Sequence, residues 1–394
     1  MEQTSKKQKV TSHAYTTLAL IFIAYIICFI DRSAMNIALA YVGKDFGLSP
    51  AALGGVASAF FFSYSLMQVP GGWLVDRFGS KKMIVFSLAM WSLFTVLTGF
   101  AWSVASLLVI RVLFGIGEGG YPTASLKQIA EEFPADAKSQ ATTVAISSNY
   151  VGSALAPVII APIIATLGWR NAFHIMGLIG LVYVLIYWLK ERPLTTNVTK
   201  SASRKFNWKL VDKRIWSFFF IIFGLNTITK GLDTWMPTYL LTARHINLTG
   251  IAWLVPLPSI AAGLGAASAG FIMVRFFKGK ERWLISATAA LTMLFMYGMY
   301  SSKSLAAIII FEVLAYLVKS ISFATTFGYV AQIIGAKTYG SSVGVVNFGG
   351  QVAGFVAPLI IGAIVSATAS YSMAFLFLVA AAGLALVSSL TVRK

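Results

Sequence analysis

Eight charged side chains lie inside long apolar segments of this sequence, where a charge is costly and usually functional. They comprise four acids and four bases, namely Asp31, Arg32, Arg111, Glu118, Lys230, Asp233, Glu312 and Lys319. The equal numbers of the two signs predict that these residues pair inside a helical bundle and do not face lipid. Such residues often mark the path or the binding site of an ion or a polar solute.

The spacing of these residues places them on shared helix faces. Arg111 and Glu118 are seven residues apart, which is two turns of one helix, so their long side chains can approach each other. Glu312 and Lys319 repeat that spacing in reverse order. Lys230 and Asp233 are three residues apart and also share a face, although a hydrated structural pair near the helix end explains these two equally well.

An arginine beside a buried carboxyl group can couple two binding events. A low-dielectric cavity favours the protonated carboxyl, and a nearby arginine favours the ionised one. Arginine also presents a bidentate fork to a carboxylate ligand. An anion that engages Arg111 would therefore free Glu118 to take up a proton, so that proton and anion bind together.

Uncharged polar residues inside the apolar segments could complete a binding site for a substrate with hydroxyl groups. They are Tyr64, Ser148, Asn149, Asn347 and Gln351. Hydrogen bonding between helices is an equally good explanation for each residue taken singly.

The composition excludes a soluble protein. Hydrophobic residues make up 58% of the 394 residues, charged residues only 11%, and the mean hydropathy is +0.79, whereas a soluble domain has about 25% charged residues. Apolar runs of roughly 20 residues without alternation predict membrane-spanning helices and no β-barrel. The predicted class is all-α, with twelve spans at about 14–36, 51–74, 83–101, 105–127, 138–165, 170–190, 215–243, 250–275, 283–301, 304–332, 340–367 and 371–391.

The net charge of +18 comes mainly from basic residues that set the orientation of the protein in the membrane, and it does not indicate a nucleic-acid partner. Of the 31 lysines and arginines, 23 fall in one alternate set of loops and their flanks, which places that set in the cytoplasm. Both termini are then cytoplasmic. The chain divides into a six-helix bundle at 1–190, a basic cytoplasmic linker at 191–214 and a second six-helix bundle at 215–394, the paired organisation that permits alternating access.

Other chemistries lack their residues. The single cysteine, Cys28, allows no disulfide within the chain. The three histidines are scattered, no phosphate-binding loop is present, and no cluster of nucleophile and base appears. We therefore expect no enzyme, no metal and no cofactor.

Several motifs resemble known families. Gly72 to Lys82 is similar to the signature loop of major facilitator transporters, whose aspartate and arginine latch the cytoplasmic gate, and the resemblance assigns that role to Asp76 and Arg77. Four further stretches resemble motifs of the anion:cation symporter branch, namely Asp31-Arg32, Tyr64, Arg111 to Pro122 and Gly344 to Gln351. This branch includes bacterial carriers of galactonate, glucarate and hexuronates, and sialic-acid carriers of animals.

The resemblance also implies roles for individual residues. Asp31 and Glu118 would bind protons, Arg32 would engage the substrate, and Arg111 would pair with Glu118. Tyr64 and Asn347 would line the pocket. Two features depart from the pattern: Cys28 and Phe29 stand where many sugar-acid carriers have tyrosine and asparagine, and Lys230 and Lys319 are additional bases that a dicarboxylate or a phosphorylated substrate would use.

The residues and the resemblance together predict proton-coupled uptake of a small organic anion, with a sugar acid (aldonate, aldarate or hexuronate) as the favoured substrate. The expected setting is a monomer in the lipid of a bacterial inner membrane. An anion exchanger or exporter of the same fold is the first alternative, and a membrane sensor that moves no solute is a more remote one. Sodium in place of the proton stays open.

Overall fold

A computed structural model describes residues 10–134, 136–191, 212, 214–334 and 338–392. The described residues form thirteen helices and no strand. The helices are α1 (Ser12–Phe46), α2 (Pro50–Phe78), α3 (Ser80–Gly99), α4 (Val104–Gly119), α5 (Tyr121–Glu132), α6 (Lys138–Lys190), α7 (Arg214–Thr242), α8 (Leu248–Leu254), α9 (Pro256–Phe276), α10 (Glu281–Ser301), α11 (Leu305–Ile333), α12 (Tyr339–Thr368) and α13 (Tyr371–Thr391).

Eleven segments of the described chain are long and apolar enough to cross a membrane. One of them, α6, has 53 residues, or about 80 Å of helix, more than twice the thickness of a hydrocarbon core of about 30 Å. Its helical path is broken at Gly168, where φ is 81° and ψ is 163°. Glycine tolerates this left-handed backbone, so α6 folds back as two spans. The predicted class of twelve membrane-spanning helices is thereby confirmed.

Two predicted spans each consist of two helices in the structure. The span predicted at 105–127 is α4 followed by α5, divided at Gly120. The span predicted at 250–275 is α8 followed by α9, divided at Val255. In both places a proline occupies the start of the second helix, where its missing N–H costs least.

The buried apolar side chains form three clusters that reveal how the two halves meet. A shared core contains residues of both halves, for example Trp169 of α6 and Trp235 of α7. A first-half core, around Trp91, has buried members only from α1–α6 and the loops between them. A second-half core, around Phe218, has buried members only from α7 onward. The halves are therefore packed together at one end and have separate cores at the other.

The separate cores lie at the end of the molecule that carries the basic loops. The shared core adjoins the opposite loops, where α2 contacts α12 and α1 contacts α7. Glycines allow the closest approach: a Cβ built on Gly54 of α2 would lie 2.5 Å from the carbonyl oxygen of Pro358 in α12. The structure is thus closed at the end opposite the basic loops. The predicted linker, 191–214, lies almost entirely outside the described residues, and the division into two bundles stays a prediction.

Candidate functional site

A polar cavity lies where α1, α2, α4, α6 and α7 meet, so both halves of the protein contribute to its wall. Its lining residues are Phe29, Arg32, Ser33, Met35, Asn36, Ala57, Phe60, Phe61, Arg111, Phe114, Ser153, Lys230, Asp233 and Thr234. Three of the predicted site residues, Arg32, Arg111 and Lys230, are brought together here.

Arg32 of α1 forms an ion pair with Glu118 of α4. The thiol of Cys28 also donates a hydrogen bond to the same carboxylate oxygen, over 3.1 Å. Cys28 and Arg32 are four residues apart and therefore share one face of α1, which directs both toward α4. The second oxygen of Glu118 is buried without a hydrogen-bond partner among the described residues.

This pairing corrects the prediction that Arg111 is the partner of Glu118. Arg111 forms no ion pair within the described part of the chain. Two helical turns separate Arg111 from Glu118, a rise of about 10 Å, whereas Arg32 reaches Glu118 from the facing helix. Spacing along one helix identified the right carboxylate and the wrong arginine.

Aromatic rings surround the Arg32 guanidinium. Its central carbon lies 4.8 Å from the ring centre of Phe29, 5.0 Å from that of Phe60 and 4.9 Å from that of Tyr64. Cation–π contacts of this kind hold a guanidinium without neutralising its charge. Tyr64 was predicted to line the pocket; in this structure its ring lies against the Arg32 guanidinium and it is not among the lining residues of the cavity.

Asp31 and Arg111 are a second set of opposite charges at the site: Arg111 lines the cavity, whereas Asp31 is not among its lining residues. Asp31 is completely buried, and neither of its carboxylate oxygens accepts a hydrogen bond from a described residue. Arg111 is 2% exposed, with its guanidinium carbon 4.4 Å from the ring centre of Phe114, and it is an electrostatic neighbour of both Asp31 and Glu118. Buried charges with open hydrogen-bonding positions are unusual in a purely structural network.

The remaining buried charges lie between α7 and α11. The hydroxyl of Tyr316 donates to the carboxylate of Asp233 over 2.7 Å, and the Lys319 ammonium is 4.4 Å from the ring centre of Tyr316. Glu312 is buried beside them. Lys230 instead points across to the other half, with its ammonium 5.1 Å from the ring centre of Phe61 in α2.

Four predicted polar residues lie outside the cavity. The Ser148 hydroxyl donates to the Ala145 backbone carbonyl of its own helix and not to a neighbouring helix. Asn149 has a buried side-chain oxygen without a partner among the described residues. Asn347 is exposed and Gln351 is half-buried. Their part in substrate binding stays a prediction.

The predicted gate residues lie at the basic end of α2. Asp76 pairs with Lys127 of α5 at 2.7 Å, within the same half of the protein. Arg77 lies over the rings of Trp73 and Phe78 of its own helix, at 5.3 and 5.5 Å. Both side chains are exposed. Neither bridges the two halves in this structure, consistent with separated cores at that end.

Sequence reasoning missed several wall residues of the cavity. Ser33, Asn36, Ser153 and Thr234 supply its neutral polar groups. A signal existed for Asn36, since it follows Arg32 by four residues and shares its face. Phe60, Phe61 and Phe114 carried no signal, because phenylalanines are common in any apolar span.

Comparison with known proteins identifies the same architecture. The family model described as Major Facilitator Superfamily matches residues 21–358. The chain is 30% identical over 413 residues to the probable sulfoacetate transporter SauU of Cupriavidus necator, covering 98% of this chain and 95% of that protein. It is 28% identical over 437 residues to the probable galactarate/D-glucarate transporter GarP of Escherichia coli, covering 100% and 97%.

Two further matches agree. The hexuronate transporter of Bacillus subtilis is 27% identical over 396 residues, covering 96% of this chain and 93% of that one. A crystal structure of a bacterial homolog of the human lysosomal transporter Spinster superposes with a TM-score of 0.84 at 18% identity, covering 97% of this chain and 96% of that one. At that identity the structural match supports the fold alone.

Proposed function

Because the chain belongs to the Major Facilitator Superfamily and is a multi-pass transporter and not an enzyme, we propose that it takes up a small organic anion by proton-coupled symport. The relatives carry sugar acids and sulfoacetate by their names, so the proposed substrate belongs to that group of carboxylates and sulfonates. The proposed location is the inner membrane of a bacterium, with both termini and the basic loops in the cytoplasm.

The observation that carries the proposal is the ion pair between Arg32 and Glu118 at the wall of a cavity shared by both halves. An arginine held by aromatic rings and neutralised by one carboxylate is a site that an anion can enter by exchange. The incoming carboxylate or sulfonate takes the place of Glu118 on the guanidinium. Glu118 is then buried without its Arg32 partner, and it takes up a proton that neutralises its charge.

Coupling follows from this exchange. Binding of the anion and protonation of Glu118 accompany each other, so the loaded cavity gains no net charge from a monoanion. Asp31, buried behind Arg111, supplies a second proposed proton-binding group. The closed end of the structure faces the periplasm in the proposed orientation, so the structure represents an inward-facing state, and the reverse packing of the halves would complete alternating access.

The test is transport in proteoliposomes with Glu118→Gln, which keeps the size of the side chain and removes the proton-binding carboxyl. We expect this variant to retain exchange of labelled for unlabelled substrate and to lose accumulation driven by an imposed proton gradient. Glu312→Gln is the matched control, because Glu312 is equally buried but lies outside the cavity.

Three results would contradict the proposal. Full gradient-driven accumulation by Glu118→Gln would remove this residue from the coupling step. If the unmodified protein accumulated substrate in response to a sodium gradient and not to a proton gradient, sodium would be the coupling ion in place of the proton. Exchange without accumulation in the unmodified protein would instead indicate an exchanger.

A further inference from the structure

A second cation, Lys230, reaches the cavity from the half opposite to Arg32. On this ground we propose that the substrate is a small dianion, with one carboxylate bound at Arg32 and a second carboxylate or a sulfonate bound at Lys230. The inference rests on the proposed function, since it concerns the same cavity, and it narrows the substrate to a charge class.

Lys230 forms no ion pair in the described part of the chain, although Asp233 and Glu118 are its electrostatic neighbours of opposite charge. Asp233 is the acid nearest to it along α7, and the Tyr316 hydroxyl already donates to that carboxylate. The Lys230 ammonium lies instead over the ring of Phe61 and at the cavity wall. A lysine at bilayer depth that has acidic neighbours but no ion-pair contact gains a direct partner when an anionic ligand binds.

The aromatic rings limit the distance between the two cationic groups. The Arg32 guanidinium carbon is 5.0 Å from the centre of Phe60, the Lys230 ammonium is 5.1 Å from the centre of Phe61, and the two ring centres are 4.8 Å apart. These three distances allow a separation of at most about 15 Å. With an ion-pair contact of up to about 4 Å at each end, a ligand with charged groups no more than about 7 Å apart fits, which is the length of a C2 to C6 chain.

The rest of the wall favours a body with few hydroxyl groups. Four phenylalanines line the cavity, whereas its neutral polar side chains are one amide and three hydroxyls, from Asn36, Ser33, Ser153 and Thr234. Methylene groups pack well on such rings. A heavily hydroxylated chain would leave some of its donors and acceptors unpaired, which costs binding free energy.

The charges also distinguish the two ends. Glu118 already neutralises Arg32, so a carboxylate at Arg32 must displace a resident anion. Lys230 forms no ion pair that a ligand would have to break, although Asp233 lines the same cavity. The second anionic group of the ligand therefore adds an ion pair without breaking one, and a dianion binds more tightly than a monoanion of equal length.

The experiment compares ligands of equal length that differ either in one charge or in the kind of anionic group. Dissociation constants of the purified protein are measured by calorimetry for glutarate against pentanoate, and for malonate against sulfoacetate. We expect glutarate to bind at least 10-fold more tightly than pentanoate, the lower limit for a hydrogen bond to a charged group. The second comparison identifies whether carboxylate or sulfonate is preferred at Lys230.

Two lysine variants locate the effect. Lys230→Met removes the charge and keeps a side chain of similar length. It should raise the dissociation constant of glutarate at least 10-fold and change that of pentanoate less than 2-fold. Lys319→Met is the matched control, since Lys319 is a buried lysine outside the cavity. It should leave the ratio of the two dissociation constants unchanged. Lys230→Arg should restore the preference.

Equal affinity of the unmodified protein for glutarate and pentanoate would overturn the inference without any variant. A parallel loss for both ligands in Lys230→Met would do so as well, because a loss of folding or of general binding does not select by charge. If pentanoate and other monoanions are bound and transported while dianions are not, only this inference fails. If no anion of any kind is bound or transported, the proposed function fails with it.

Discussion

Alanine in place of Gly54 should shift the protein away from the conformation described here. In this structure α2 and α12 touch backbone to backbone at the end opposite the basic loops. A Cβ on residue 54 would lie 2.5 Å from the Pro358 carbonyl oxygen and 3.2 Å from the Leu359 Cα. The neighbours are main-chain atoms and cannot rotate away, so the helices must separate.

The structure gives the size of the effect. Ordinary Cβ contacts begin at 3.4 Å, so α2 and α12 must part by nearly 1 Å at this point. Overpacking of a tight contact costs about 1–3 kcal/mol. In the opposite conformation of the proposed alternating-access cycle this end would be open and the cost would disappear. The ratio of the two conformations should therefore change by about 5- to 150-fold.

Gly55 provides a control on the same helix. A Cβ at Gly55 meets nothing within 4 Å, so Gly55→Ala gains the same helix propensity, about 1 kcal/mol, without the clash. Both variants are glycine-to-alanine changes at adjacent positions. A difference between them reports the contact with α12 and not the loss of a flexible residue.

Distances between spin labels measure the shift. One pair replaces Lys82 and Lys278, which are exposed at the basic end in opposite halves, and the other replaces Trp102 and Lys303 at the closed end. Cys28, the single native cysteine, is 2% exposed. Gly54→Ala should shorten the first distance and lengthen the second. Identical distributions in the Gly54 and Gly55 variants would refute the reasoning.

Two predictions concern stability in detergent. Burial raises the pKa of the Glu191 carboxyl, which follows the last residue of α6, so between the ordinary pKa and the raised one the folded state holds a proton that the unfolded state has released, and stability falls as the pH rises through this range. Glu191→Gln can still accept the hydrogen bond from Gln128 and should raise the melting temperature more at pH 8 than at pH 5. An equal change in melting temperature at both pH values would contradict this. Gly115→Ala should lower the free energy of unfolding by about 1–3 kcal/mol, because its Cβ would lie 2.5 Å from the Phe60 carbonyl oxygen. Gly270→Ala is the control and should leave the free energy of unfolding unchanged, since its Cβ meets nothing within 4 Å. Equal melting temperatures for the two variants would refute the packing argument.

The fold was predictable because the membrane imposes lengths. A span needs about 20 apolar residues, and the sequence contains such runs with polar interruptions between them. Even the gap between the predicted spans 138–165 and 170–190 contains the break at Gly168. The divisions at Gly120 and Val255 were not predicted, although the prolines that follow them, Pro122 and Pro256, were visible signals.

The sequence allowed individual charged residues near the cavity to be named, but not their pairing. Buried charges are conspicuous in an apolar sequence, so Arg32, Glu118 and Lys230 could be named in advance. Spacing reports only neighbours on one helix, and it therefore linked Glu118 to Arg111. The actual partner, Arg32, comes from another helix, and its approach depends on how α1 and α4 pack. Lys230 reaches the same cavity for the same reason, through the contact of α7 with α1.

The division of the apolar interior into one shared and two separate cores has a consequence for how the sequence can vary. In the proposed alternating-access cycle, a side chain of the first-half or second-half core, such as Trp91 or Phe218, would keep a single packing arrangement, because its neighbours belong to the same half. A side chain of the shared core, such as Trp235, packs with the other half in this structure and would lose that contact in the opposite conformation of the proposed cycle. Variation should therefore be freest in volume-conserving exchanges within the separate cores. Along the shared core, substitutions that leave the melting temperature unchanged can still alter the rate of turnover.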